Sequence, residues 1–210
     1  MVKININDKE YNFPNKWDDI TLREYCHLFY NLPKDDSNAS EGEKEAMVVD
    51  KEAIIISRLL GERDDFVSQM PIGIFLMLQN EAKFIYSIND FINSKTFYIN
   101  IDGKKYWMPN PDEMSLRQYI DADMIMKEEK EDQFIELLSC LLLPVGKDGK
   151  FEYDGKYQEL MPKIANMKAS EALPFVYTFF KKKQLSKKVS EVYSKVGQVA
   201  DQLAHSTQGS

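Results

Sequence analysis

"PNKWDDITLREY" (Pro14–Tyr25) and "PNPDEMSLRQY" (Pro109–Tyr119) decide how the rest of this chain is read, because the second restates the first about 95 positions later. The echo runs upstream as well. "ININDKEYNFPN" (Ile4–Asn15) aligns with "INIDGKKYWMPN" (Ile99–Asn110), and more than half of the paired positions are identical. A further echo follows at a spacing of about 91, where Met70-Pro71 answers Met161-Pro162 and "FIYS" (Phe84–Ser87) answers "FVYT" (Phe175–Thr178). The chain reads as an internal duplication.

Each repeated feature predicts a piece of local structure. Side chains alternate on either side of Asn7-Asp8 and of Asp102-Gly103. Such pairs between alternating runs mark tight hairpins, since a type I′ turn needs positive φ at both central residues. Pro14 and Pro109 then stop the second strand, having no N–H for a ladder. Thr21-Leu-Arg-Glu24 and Ser115-Leu-Arg-Gln118 both have the spacing of a capping box that starts a helix. Tyr25, Leu28, Phe29 and Leu32 follow at helical spacing, as do Tyr119, Ala122 and Ile125-Met126. Buried helices are expected over Lys51–Gly61 and Asp132–Leu143, and a third helix follows each Met-Pro pair.

The fold class that results is α+β, predominantly helical: two tandem repeats of a β-hairpin plus helices, closed by a C-terminal amphipathic helix. The boundaries are 1–95 for the first unit, 96–183 for the second, and 184–210 for the amphipathic helix and its frayed end. The simplest packing is two units about a pseudo-twofold axis with a shared core, their hairpins pairing into one small sheet.

The halves differ in three places. The first inserts "NLPKDDSNASEGEKEAMVVD" (Asn31–Asp50), which its Ser, Asn, Gly and acidic residues predict to be a mobile polar loop. The second has "KEEKEDQ" (Lys127–Gln133) there instead, with the composition of a solvated helix face. It also adds "PVGKDGKFEYDGKYQEL" (Pro144–Leu160), whose two Asp-Gly pairs suggest a small hairpin or an Ω-like loop. Phe151, Tyr153 and Tyr157 in that loop either form a partner-binding tip or pin the loop to its own unit. Beyond Lys183, Leu185, Val189, Val192, Val196, Val199 and Leu203 recur every four and three residues. That is an apolar seam of just under three heptads, for docking on the body or pairing with another helix.

The formal charge is −7, with hydrophobic residues at 43% and charged residues at 29%, a globular composition. From Lys181 onward there is a surplus of four positive charges, which leaves −11 on the rest. An acidic body disfavours nucleic acid and anionic membranes as partners. No apolar run reaches membrane-spanning length, and the polar start is unlike a signal peptide, so a cytoplasmic setting is expected. Cys26 and Cys140 sit in apolar helical patterns and read as buried, reduced thiols.

Nothing in the sequence carries catalytic chemistry. The two histidines, His27 and His205, lack metal-ligand company, and there is no phosphate-binding loop or nucleophile elbow. The carboxylate pairs Asp18-Asp19 and Asp112-Glu113 precede helix starts, where the helix dipole accounts for them. No catalytic residue, metal ligand or cofactor is therefore assigned. Arg23 and Arg117 occupy equivalent places and read as structural.

The run of Trp17, Ile20, Thr21, Leu22 and Tyr25, followed by a polar loop, "IIISRLLG" with Leu60 and Gly61, and a Met-Pro helix start, resembles small proteins of tailed bacteriophages. These are the tail-assembly chaperones and minor head–tail or tail components of Bacteroidetes-type phages. The resemblance extends over about 180 residues through the repeat. It implies a non-enzymatic structural or assembly protein of the head–tail connector or tail region. Its partners would be other virion or assembly proteins, with a homo-oligomer as one form. It would act in the host cytoplasm during assembly and then in the virion. The acidic body also suits a different role, that of a phage or mobile-element adaptor that binds and inhibits a host protein.

Overall fold

The computed structural model describes residues 1–34, 36–86, 98–146 and 152–182. Its two hairpins form where the turn chemistry predicts them. Strand β1 (Val2–Ile6) pairs antiparallel with β2 (Lys9–Phe13), and β3 (Tyr98–Ile101) with β4 (Lys104–Trp107). Ile6 lies opposite Lys9 and Ile101 opposite Lys104, so each loop has two residues. All four loop residues have positive φ: Asn7 at 50°, Asp8 at 62°, Asp102 at 50° and Gly103 at 75°. Both turns are therefore of type I′.

The hairpins do not join into one sheet. The first is a two-stranded ribbon, whereas the second gains β5 (Leu143–Pro144), which pairs with Tyr106 and Trp107. The expected shared sheet is thus replaced by two separate ones. Each ribbon is instead tied to its own half by side-chain contacts. The tip of the first is held by Glu62, which accepts from Lys9 Nζ at 2.5 Å and Tyr11 Oη at 2.8 Å. In the second, Asp102 pairs with Lys163 at 2.9 Å.

Helix α1 (Leu22–Phe29) begins at a complete capping box. Thr21 Oγ1 accepts from the Glu24 N–H at 3.2 Å, and the Glu24 carboxylate accepts from the Thr21 N–H at 2.6 Å. Helix α2 (Glu41–Leu59) is longer than the composition suggests, because Ser40 and Glu43 build a second box inside the inserted segment. That box and the helix formers behind it turn the second half of the expected loop into two exposed helical turns and more. Helix α3 (Ile72–Glu81) follows Pro71, and a 3₁₀ turn (Ala82–Tyr86) ends the described part of the first half.

In the second half, α4 (Leu116–Ile125) precedes α5 (Gln133–Leu141). Residues 127–132 between them are a turn and loop rather than a helix face, tied by Lys130 to Glu128 and Glu136. Helix α6 (Met161–Ala165) breaks at residues 166–168, and residues 169–182 form α7. The seam predicted from Leu185 to Leu203 lies outside the described residues.

The second capping box is only half built. Ser115 Oγ accepts from the Gln118 N–H at 3.2 Å, but the Gln118 side chain turns inward. Its amide donates to the carbonyls of Cys140 and Leu141 at 2.9 and 3.3 Å, and the residue is fully buried. Two buried carbonyls need a donor, which an ionised carboxylate is not. Glu24, at the equivalent place in α1, stays in solvent and completes its box.

Phe13, Leu22, Leu28, Ile56, Leu78, Leu137, Leu138 and Phe179 belong to one contiguous core that runs through both halves. Ser57 and Ser139 sit inside it. Each hydroxyl donates to the carbonyl four residues earlier, at 2.8 and 2.7 Å, which removes the cost of burying it.

Gly155 has φ of +78°, and a Cβ there would lie 2.7 Å from an Arg117 Nη. Arg117 can swing aside, but the left-handed backbone remains, so Gly155→Ala should cost about 1–2 kcal/mol. A urea titration of both proteins measures it.

Candidate interaction surfaces

Helix α1 is where the halves meet. Leu22, Tyr25, Cys26 and Leu28 are all buried, and α1 packs on α2 of its own half as well as on α5 and α6 of the second. The Leu22 N–H donates to Met167 O at 2.8 Å, and the Ala169 N–H donates to Ile20 O at 2.9 Å. These bonds flank an antiparallel bridge between Thr21 and Lys168, made possible by the break between α6 and α7. Tyr25 shares a 2.9 Å hydrogen bond with the Tyr177 hydroxyl, and its ring stacks on Phe134 with centroids 6.2 Å apart. Burial and that bond push the Tyr25 phenol well above its ordinary range.

Arg58 locks the far end of α1. Its Nη1 donates to the carbonyls of His27, Leu28 and Tyr30 at 2.8, 3.2 and 2.7 Å. Its Nε and Nη2 fork onto the Asp64 carboxylate at 2.8 and 2.7 Å. The guanidinium therefore satisfies carbonyls that a helix C-terminus leaves open, and the carboxylate balances its charge. Those bonds hold the Asp64 carboxyl below its usual pKa. Sequence reasoning passed over Arg58. Its signal is a basic residue in the last helical turn, three before a left-handed Gly61 and six before an aspartate.

Among the described residues, the equivalent face of the second half stands exposed. Leu116 stands where Leu22 does and Ile120 where Cys26 does, yet Leu22 is 0% exposed and Leu116 75%. Leu116, Ile120 and Met124 form a stripe at spacing four, opposite the buried stripe of Gln118, Ala122 and Ile125. A helix with two such stripes carries the sequence signal of burial on both sides. On the first half, Ile72, Leu76 and Met77 likewise form an exposed apolar face of α3.

The aromatic loop is tied down where it is described. Tyr153 donates to Asp121 Oδ2 at 2.6 Å and lies 3.5 Å from the Cys140 sulfur. Tyr157 donates to Glu136 at 3.2 Å, and burial pushes its phenol up to about 12. Both hydroxyls thus face α4 and α5; Phe151 lies outside the described residues. A polar cavity of about 230 Å³ lies beneath this loop, lined by Lys104, Tyr106, Glu152, Asp154 and Lys163 among others.

The carboxylate pairs have structural tasks. Asp19 accepts from the Met1 ammonium at 2.7 Å and the Asn15 N–H, and Asp18 accepts from Ser170 across the seam between halves. Glu113 accepts from the backbone and side chain of Asn110. A cleft of about 550 Å³ along the seam is lined by Arg23, Cys26, Glu131, Asp132, Ile135, Met161 and Pro162. Among the described residues no group of three His, Cys, Asp or Glu side chains could hold a metal ion, and no helix is long and apolar enough to cross a membrane.

Cys26 and Cys140 are buried and unpaired. Burial pushes their thiols up to about 12 and about 11. Both should resist a thiol reagent at pH 8 in the folded protein and react within minutes once guanidinium unfolds it. Absorbance of the released chromophore follows the reaction.

No family model, curated protein or solved structure matches the chain.

Proposed function

We propose that this chain is a non-enzymatic structural or assembly protein of a tailed phage, working at the head–tail connector or tail through protein–protein contacts. Its two halves are copies of one duplicated unit, and residues 184–210 add an amphipathic helix. The observation that carries the reading is the pair of open apolar faces on α3 and α4, set on a strongly acidic chain. Rows of leucine, isoleucine and methionine at helical spacing mark surfaces built for a partner. The phage assignment is supported by the resemblance around Trp17–Tyr25 and Leu60-Gly61.

Light scattering behind size exclusion, on the full chain and on a chain ended at Lys183, tests the reading. A discrete multimer, or a stable complex with a co-expressed virion protein, supports it. A lasting monomer that captures neither itself nor any virion protein sinks it. If only the shortened chain is monomeric, the valine seam is the assembly element.

A further inference from the structure

We infer that copies of this protein associate head to tail, the α3 face of one covering the α4 face of the next. The inference rests on the duplication proposed above. Its starting point is the contact already made once inside the chain, where the outer face of α1 is covered by Phe134, the residue 166–168 break and Tyr177.

That contact runs one way. The first half offers α1 and the second half offers the cover. Two half-interfaces are then left over, one of each kind. The second half has an uncovered counterpart of α1, in which Leu116 and Ile120 repeat Leu22 and Cys26. The first half has an uncovered counterpart of the cover. At the repeat spacing of about 91, Leu76 and Met77 answer Met167 and Lys168, and Tyr86 answers Tyr177. Leu76, Met77 and Tyr86 are all exposed, and so are Leu116, Ile120 and Met124.

A second copy is the occupant that meets both vacancies at once. A segment such as residues 184–203 could cover one face and would leave the other open. The chemistry of the α3 face also fits. Residues 72–80 carry no charge, so seating them on Leu116, Ile120 and Met124 strands no ion. The charges Arg117 and Asp123 flank the α4 stripe and stay at the rim. One part of the internal contact is not reproduced. Helix α3 runs unbroken through Leu76 and Met77, so its backbone cannot make the bridge that residues 166–168 make. Side chains carry the contact between copies, with two apolar residues where the internal cover has Met167 and Lys168.

The faces that meet are different, so the contact is heterologous, and each added copy presents a fresh open end. Growth ends in a ring if the rotation closes and in a filament if it does not.

Sedimentation of the full chain and of two variants, Leu116→Asp and Leu76→Asp, decides the matter. Both positions are exposed, and circular dichroism confirms that each variant is folded. Mass should grow with concentration for the parent protein. Each variant alone should fall to the 24.5 kDa monomer. Mixed in equal amounts, the two should form a dimer and nothing larger, because each retains the face the other has lost. A parent protein monomeric at every concentration overturns the inference. So does a mixture that stays monomeric, which would mean that the contact is not head to tail. Variants that assemble as the parent does also overturn it, while leaving the assembly function intact through another surface such as the tail seam.

Discussion

Arg58→Ala is expected to lower the free energy of unfolding by about 3 kcal/mol, from the loss of several charge-assisted hydrogen bonds at a partly buried site. The side chain is 9% exposed and ties the end of α1 to the turn after α2. It gathers the carbonyls of His27, Leu28 and Tyr30 at the end of α1, and it anchors Asp64 in the turn after α2. Truncation leaves those carbonyls with partial access to water and frees both segments. Lysine should recover only part of the loss, because a point charge cannot bond three carbonyls and fork onto a carboxylate at once.

The pH dependence gives a second reading of the same bond. Asp64 has its folded pKa lowered by Arg58, so its contribution is fully present above the unfolded value of about 4. It is lost as pH falls through the folded value. Urea titrations at pH 7 and pH 3 should therefore show the gap between parent and variant narrowing in acid. A gap of the same size at both would mean that the carboxylate adds nothing.

Leu22→Ala and Leu116→Ala should differ sharply although both remove the same side chain from the same motif. The first is expected to cost about 3 kcal/mol, within the usual span for a fully buried leucine. The second should stay within about 0.5 kcal/mol in the monomer. Leu22 is enclosed where the halves meet, and its loss leaves a void beside Tyr25 and the Thr21–Lys168 bridge. Leu116 has no such enclosure. Denaturant titrations at low protein concentration compare the two. Equal costs would contradict the one-way packing of the halves.

The elements fixed by local chemistry were legible in the sequence. Asn7-Asp8 and Asp102-Gly103 specify their turns through φ alone, and Thr21 with Glu24 specifies the start of α1. What failed were inferences in which one pattern stood for two environments. Gln118 has the spacing of a capping residue, but burial beneath α5 gives its amide more profitable partners than its own helix end. Ser40 and Glu43 were hidden by polar neighbours that also suit a loop, although their spacing is that of the box at Thr21. Similarity between the halves suggested symmetric packing. The break at residues 166–168, which lets backbone pair with Thr21, has no counterpart in α3, and that difference makes the contact one-way. Arg58 was missed because its partners are carbonyls, which every residue possesses and no sequence pattern displays.

The seam between the halves also has a consequence for biosynthesis. Tyr25 finds its hydroxyl partner 152 residues further on. During translation the first hairpin, α1 and α2 can fold early, yet the cover over α1 is completed only once Tyr177 of α7 has left the ribosome. On a polysome, neighbouring nascent chains hold the same face close together, and closure over the α1 of an adjacent chain competes there with closure over a chain's own α1, which the covalent tether favours. Slow passage through the codons for residues 30–160 would lengthen that interval. The yield of correctly self-closed protein is thus tied to elongation rate and to how densely ribosomes load the message.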